Sequence, residues 1–395
     1  MVSKQILIPD WLRSVPAQSL FDTLGKENVR FVGGAVRDTL LGRPVTDLDA
    51  ACLLPPGDVM AALEQASIKA IPTGLKHGTV TALFRDCSIE ITQLRRDMET
   101  DGRHATVAPT QSWSEDAARR DFTVNALYLD ADGTLFDPCG GLRDIEDKVL
   151  RFIGDPANRI REDGLRILRY YRFLAQLGFR EEDPAPTKVI RSASGMITKL
   201  SGERIAGELM KWLAADDPLP SLKAAAESRV FEAFPVTVIL ERLQDSLEAA
   251  KVASITLEPL QRLACFTLSA ATPADQLQHW LKLSNAQTLF LKQTWQAFQA
   301  LFEEGNRSAR DVAYRFGLGP ARTACVMGGL DPMPLAEWVV PILPLSARDL
   351  LDLGYSPGPE IGTSLKRLEE HWIASEFTAD RADLISLLQC GQGED

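Results

Sequence analysis

Residues 31–51, FVGGAVRDTLLGRPVTDLDAA, decide the reading of this chain. Asp47 and Asp49 stand one residue apart, and a strand alternating its side chains would put both carboxylates on one face. Two anionic groups held together need a cation, and an oxygen-only pair suits Mg²⁺. Sixteen to thirteen residues upstream, Gly33-Gly34-Ala35-Val36 opens with two glycines, whose missing side chains let backbone N–H groups approach a phosphate. A phosphate cradle next to a metal-binding carboxylate pair is equipment for nucleotidyl or phosphoryl transfer.

The rest of the chain fits a multidomain enzyme. At 395 residues it is too long for a single core, which predicts two to four domains. Hydrophobic and charged contents of 45% and 25% are those of ordinary globular proteins. The six cysteines (Cys52, Cys87, Cys139, Cys265, Cys325, Cys390) show no CxxC spacing, which points to free thiols in a reducing cytoplasm. The start, MVSKQILIPDWLRSV, is too short in apolar residues for a signal peptide, and no apolar run is long enough to span a membrane. A net charge of −11 argues against a non-specific nucleic-acid coat. Its distribution is uneven, however. Residues 151–210 hold 11 Lys and Arg against 8 Asp and Glu, a net of +3, while 1–150 hold 16 against 22, a net of −6. That basic island permits a phosphate-rich substrate.

Up to about residue 145, short apolar or β-branched segments bounded by Gly, Pro or Asp predict strands at Val29–Val32, Leu48–Cys52, Thr79–Phe84, Ser88–Leu94 and Thr123–Leu129. Val36–Leu41 and Asp58–Ala66 predict helices, and Asp130-Ala131-Asp132-Gly133 a hairpin turn. This is an α+β region on a mixed sheet. Beyond it apolar residues recur at helical spacing, as in Leu165, Leu168, Tyr171, Phe173 and Leu174, so the remainder is expected to be all-helical.

Five segments, in order, resemble the signature of the class II tRNA nucleotidyltransferase and bacterial poly(A) polymerase superfamily. They are the quoted stretch; TGLKHGTVTALF with IEITQLR; EDAARRDFTVNALYLD with DPCGGLRDI; REDGLRILRYYRF; and LSGERIAGELMKWL. The resemblance covers residues 29 to about 213. It implies a polymerase-β-like nucleotidyltransferase head over 1–145, then an all-α neck at 146–213 that selects the nucleotide. A body at 214–310 and a tail at 311–395 that binds tRNA would follow. The implied reaction adds C, C and A to the 3′ end of tRNA from CTP and ATP, with Mg²⁺ and without a nucleic-acid template. Partners would be the tRNA acceptor arm and 3′ end, with no membrane and no obligate protein partner.

Residue by residue, the resemblance implies that Asp47 and Asp49 hold two Mg²⁺ ions for two-metal-ion transfer, with Glu90 as a third catalytic carboxylate. Glu90 alternates with Ile89 and Ile91 and so faces away from them, which a plain polar-face residue would also do. Gly33 and Gly34 would shape the triphosphate turn, with Arg37 as a cationic neighbour. Arg119 and Arg120 can fork onto phosphate oxygens, while Asp121 and Asn125 can serve a ribose hydroxyl. Standing alone, this segment would read as a solvated helix face that includes Asp116 and Arg120. In Glu162-Asp163-Gly164-Leu165-Arg166, a helix would put Asp163 and Arg166 on one face, acceptor beside donor. The resemblance makes this pair the reader of the edge that cytosine and adenine share; the plain alternative is an i,i+3 ion pair. Arg169 and Arg172 would extend the basic face.

RDMETDGRHATVAPTQSWS, between the second and third motifs, reads as a mobile loop, and Asp97, Asp101, Gly102 and Arg103 resemble the loop of CCA- and A-adding enzymes. Near the end, LGYSPGPEIGTSLKRLEEHW predicts a helix that either offers N–H groups to a nucleic-acid phosphate or simply docks Leu365, Leu368 and Trp372 in a core. Rival readings are an enzyme adding only A, only CC or a poly(A) tail, a catalytically silent RNA-binding protein of this fold, and a nucleotidyltransferase acting on another substrate.

Overall fold

Strand β2 (Val29–Val32) buries Val29, Phe31 and Val32 and pairs antiparallel with β3 (Leu48–Cys52), Phe31 opposite Ala50. The computed structural model that contains them describes residues 2–74, 78–100, 105–182, 186–303 and 307–390. The chain forms two compact units, Met1–Phe234 and Pro235–Asp395, taken separately below.

In the first unit an eight-stranded sheet runs in the order β1-β10-β9-β2-β3-β6-β5-β4. The further strands are β1 (Val2–Gln5), β4 (Lys69–Gly74), β5 (Thr79–Leu83), β6 (Ser88–Gln93), β9 (Tyr128–Leu129) and β10 (Thr134–Asp137). Only β3 and β6 run parallel, so the sheet is mixed as expected. Helices α1 (Val15–Leu24), α2 (Gly34–Leu40) and α3 (Pro56–Gln65) pack against it. Helix α1 starts at Ser14, whose Oγ accepts from the Ala17 N–H, and buries Leu20, Phe21 and Leu24. Phe21 and Trp11 meet Phe31 edge to face at 5.5 and 5.0 Å.

Three expectations need correction. The stretch Thr123–Leu129 is not one strand: Thr123–Asn125 is a 3-10 turn, and only Tyr128–Leu129 pairs. Side-chain bonds hold the turn, because Thr123 Oγ1 donates to Asp144 at 2.6 Å and Asn125 Nδ2 donates to Asp121 at 3.1 Å. The segment read as a loop is a ribbon at its base, β7 (Arg95–Thr100) against β8 (Ala105–Pro109), with Asp97 opposite Val107. Asp101, Gly102, Arg103 and His104 lie outside the described residues, as do 75–77 of the second motif. Strand β4 went unpredicted because Pro72 interrupts it; it lies at the sheet's edge, where proline is tolerated.

Beyond the sheet the chain is helical, apart from two two-residue strands among the described residues, β11 (Val149–Leu150) and β12 (Arg180–Glu181). The first unit also holds α4 (Trp113–Ala118), α5 (Gly141–Glu146), α6 (Pro156–Glu162), α7 (Leu165–Leu177), α8 (Thr187–Ala193), α9 (Gly202–Leu213) and α10 (Leu219–Glu227). Rings bind the helices to the sheet region: Phe122 meets Phe152 and Phe173, Phe152 stacks on Tyr170, and Tyr171 stacks on Trp212 at 5.7 Å. Burying each such side chain stabilises by about 1.5–3 kcal/mol, so α7 is seated firmly behind the site.

The second unit comprises α11 (Leu240–Val252), α12 (Pro259–Thr267), α13 (Ala274–Leu281), α14 (Asn285–Phe302), α15 (Ala309–Phe316), α16 (Leu318–Met327), α17 (Ala347–Asp352), α18 (Pro359–Ala374) and α19 (Arg381–Cys390). Helix α18 docks Leu368 and Trp372 in a core with Leu345, Leu350 and Leu384, and Leu365 packs on it. In its first turn Glu360 and Gly362 are exposed, while Ile361 is buried in the same core. No helix among the described residues is long and apolar enough to cross a membrane.

Candidate active site

Asp49 is the second residue of β3 and stands directly beside Glu90 in the parallel register with β6. Both side chains are exposed, whereas Ile89 and Ile91 on either side of Glu90 are buried. The alternation expected for Glu90 is therefore present, and it turns Glu90 to the face that bears Asp49. Asp47 precedes the strand by one residue and is exposed too. Partial burial pushes the Asp49 carboxyl up from the usual carboxylate range, the charges of Glu90 and Asp47 push it further, and Arg120 pulls the other way. All three donors are hard oxygens, which suits a divalent cation of the alkaline-earth kind. Among the described residues no three His, Cys, Asp or Glu side chains converge to enclose an ion. Carboxylates at an open strand end would leave most of a metal's shell to phosphate oxygens and water.

Gly33 forms the turn into α2 with φ +75°, a conformation costly for any residue with a Cβ. Its N–H donates to Leu127 O at 3.3 Å, which ties the turn to the segment before β9. Arg37, one turn along α2, forks onto Asp38 with two bonds of 2.9 Å and donates to Asn125 Oδ1 at 2.7 Å. Asn125 donates to Asp121, and Asp121 accepts from Arg169 Nε at 2.8 Å and Nη2 at 2.5 Å. Arg169 reaches on to Glu208 on α9, which also pairs with Arg172 at 2.5 Å. An unbroken polar chain thus runs from α2 to α7 and α9. Asp121 and Asn125 are each 7% exposed, so in this state they chiefly hold the arginines and offer little surface to a ribose. Arg172 is likewise buried against Glu208 and does not extend an open basic face.

Arg119 and Arg120 converge on Asp116. Arg119 Nη2 lies 2.6 Å from Oδ1, Arg120 Nη2 3.0 Å from Oδ2, and Tyr128 OH donates to the same Oδ2 at 2.8 Å. Asp116 is 1% exposed, so the solvated-face alternative fails. Burial alone would raise its carboxyl, but the two guanidiniums and Tyr128 outweigh it and hold the group below the usual range. Arg119 also donates to Arg95 O and so is spent on structure. Arg120 Nη1 lies at the turn, 3.9 Å from where a Gly33 Cβ would stand. Asp116 was not among the expected site residues, although its spacing of three and four from the arginines signalled the bridge.

The Glu162–Arg166 segment departs from expectation. The helix breaks at Asp163 (φ −154°, ψ 108°), between α6 and α7, so Asp163 and Arg166 do not share a helix face. No i,i+3 ion pair joins Asp163 to Arg166. Asp163 Oδ1 instead caps α7 by accepting from Leu165 N at 3.1 Å, and Oδ2 accepts from Arg204 Nη2 at 2.7 Å. Arg166 Nη1 pairs with Glu162 Oε2 at 2.5 Å, and Nη2 donates to Arg119 O at 2.9 Å. Glu162 also pairs with Arg159. Gly164 packs closely on Met196: a Cβ there would stand 2.9 Å from Met196 Cβ and 3.4 Å from its backbone. Gly164→Ala should therefore cost about 1–3 kcal/mol. Denaturant unfolding checks this, and a cost indistinguishable from zero would show that Met196 yields freely.

The poly A polymerase head domain family matches residues 29–151, and the family described as a probable RNA and SrmB-binding site of polymerase A matches 183–240. Together with the mixed sheet, the exposed Asp49–Glu90 pair and the Gly33 turn, these define a nucleotidyltransferase followed by a helical extension. The mitochondrial CCA tRNA nucleotidyltransferase 1 of Danio rerio is 33% identical, over 91% of this chain and 86% of its own length. The crystal structure of the Bacillus stearothermophilus CCA-adding enzyme with CTP superposes with a TM-score of 0.74 at 26% identity, covering 97% of this chain and 100% of that one. The Thermotoga maritima CCA-adding enzyme with tRNA shares the fold (TM-score 0.73, 19% identity, 99% of each chain). The chain belongs to the CCA-adding tRNA nucleotidyltransferase family. Enzymes of this family generally work with a divalent metal.

Proposed function

We propose that this protein adds C, C and A in turn to the 3′ end of tRNA. The observation that carries the reading is Asp49 beside Glu90 in the β3–β6 register, with Asp47 next to them and Arg120 and the Gly33 turn alongside. In each step the tRNA 3′-oxygen bonds to the α-phosphorus of CTP or ATP, and pyrophosphate leaves. Asp47 and Asp49 would hold Mg²⁺, which would supply positive charge to the triphosphate and lower the pKa of the attacking hydroxyl. Glu90 supports them. Gly33 and Gly34 admit the triphosphate, and Arg120 faces it.

The base is read by Asp163 and Arg166, with Glu162 and Arg204 fixing their orientation. Arg37, Asp121, Asn125 and Arg169 brace the turn and α7, and Arg119 braces Arg166 through its carbonyl. Residues 1–145 serve as head, 146–213 as neck, 214–310 as body and 311–395 as tail for the acceptor arm, whose paired RNA would be read by shape and backbone. A reducing cytoplasm is the compartment; the five cysteines whose side chains are described, all free, support it.

The test gives the protein Mg²⁺ and tRNA transcripts ending at the discriminator base, at C and at CC, with CTP, ATP or both, and resolves products at one-nucleotide length. Extension of all three to CCA, and no further, is expected. Growth only from CC would make this an A-adding enzyme, arrest at CC a CC-adding one, and absence of any growth would overturn the reading. In the same assay Asp163→Ala should raise misincorporation of UTP and GTP relative to CTP and ATP by roughly 10-fold or more, because it removes the acceptor that a shared amino group would satisfy. Unchanged ratios would remove Asp163 from base selection.

A further inference from the structure

The loop 41–47 joins α2 to β3 and delivers Asp47 to the site. Asp49 lies within β3 and is fixed by its ladder, but Asp47 stands one residue before the strand. The side-chain hydrogen bond it makes within the loop is one of 3.3 Å from Thr46 Oγ1. Something else must set where that carboxylate stands.

Arg43 is placed to do so. Its backbone N–H donates to Asp38 O at 2.8 Å, which ties the loop to α2. Its guanidinium reaches the far end of α7, where Nη1 donates to Gln176 O at 2.7 Å and Nη2 to Leu177 O at 3.2 Å. Carbonyls in a helix's last turn lack intrahelical partners and carry the negative end of its dipole, so a forked cation there satisfies both. The α7 end is itself anchored, because Gln176 accepts from Arg172 at 2.9 Å and donates to Lys211 O at 3.1 Å. Arg43 also borders a cleft of about 430 Å³ shared with Arg180, Asp216 and Ser221.

We infer that Arg43 is a positioning residue for Asp47: by clamping the loop to the C-terminal end of α7, it holds the first carboxylate in register with Asp49 for metal binding. The inference rests on the assignment of Asp47 to the metal pair.

The test compares the full-length protein with Arg43→Ala and Arg43→Lys, the latter keeping the charge but losing the fork. Mn²⁺ affinity is measured by electron paramagnetic resonance with α,β-methylene-ATP, which permits binding without turnover, and kcat, ATP KM and Tm are measured in parallel. Arg43→Ala should weaken Mn²⁺ binding and lower kcat by about 10-fold or more, with ATP KM and Tm little changed and Arg43→Lys intermediate. Mn²⁺ affinity and kcat equal to the parent protein's in both variants would overturn the inference. So would a lowered Tm with Mn²⁺ affinity intact, which would mark Arg43 as merely structural. If the parent protein extended no tRNA, the functional reading would fall, while a weakened Mn²⁺ affinity in Arg43→Ala would still support the clamp.

Discussion

Asp49→Asn should reduce nucleotide addition by roughly 10³–10⁴-fold, because a metal-borne charge stabilisation is worth several kcal/mol and each 1.36 kcal/mol is tenfold in rate. The substitution keeps the side chain's shape and removes its charge, so β3 and its pairing with β6 should survive. Folding offers the control. Asp49 lies among carboxylates, with Glu90 beside it in register and Asp47 two residues back. Deleting one of three neighbouring negative charges relieves repulsion, so the metal-free variant should melt no lower than the parent protein. Affinity for tRNA, measured by filter binding, should change little, since paired RNA is held by shape and backbone contacts. An inactive variant with parental Tm and parental tRNA affinity assigns the carboxylate to chemistry. Activity within tenfold of the parent's would place the metal elsewhere, and lost tRNA binding would revive a purely structural role.

The strands that carry this chemistry were legible because their residues state one condition twice. Apart from Arg30 and the exposed Asp49, Val29–Val32 and Leu48–Cys52 are apolar or small, bounded by turn formers, and largely buried, so local preference and tertiary burial agree. The ribbon of β7 and β8 was not legible. Arg95-Arg96-Asp97 offers no buried face to read, and its pairing shows only in the register with Val107–Pro109.

The site divides the same way. Glu90 could be placed because period-two alternation aims it. Asp163 and Arg166 could not, because the backbone leaves the helix at Asp163 and α7 begins anew at Leu165. Besides Glu162, four residues before Arg166, their partners lie 41 residues ahead of Asp163, at Arg204, and 47 residues before Arg166, at the Arg119 carbonyl. Spacing along a helix reveals neighbours within one turn and nothing at that range. The buried arginine anchors were half-visible: Asp116 sits at helical spacing from its partners, but only burial distinguishes a bridge in the core from one in water.

That distinction sets the second large effect. Asp116→Ala should destabilise the first unit by about 3–5 kcal/mol, since it strips a buried counter-ion from two guanidiniums and a hydroxyl partner from Tyr128. For a unit of this size the melting temperature should fall by roughly 6–20 °C. Asp116→Asn keeps the volume and one acceptor, and should cost less. Acid provides an independent check with a definite sign. Asp116 and Asp121 are both held below the usual carboxylate range; burial raises each, but Arg120 and Arg119 lower Asp116 more, and Arg169 lowers Asp121. A depressed folded-state value means the stabilisation is complete above the unfolded value of about 3.9. It is lost as pH falls through the folded values. The parent protein's Tm should accordingly drop steeply below about pH 4, and Asp116→Asn should show a shallower acid limb because one of the two protons no longer binds. Equal slopes in parent and variant would mean that Asp116 does not link proton binding to folding. A loss under about 1 kcal/mol in Asp116→Ala, at the level of a solvent-exposed pair, would mean water replaces the carboxylate and the two arginines need no buried anchor.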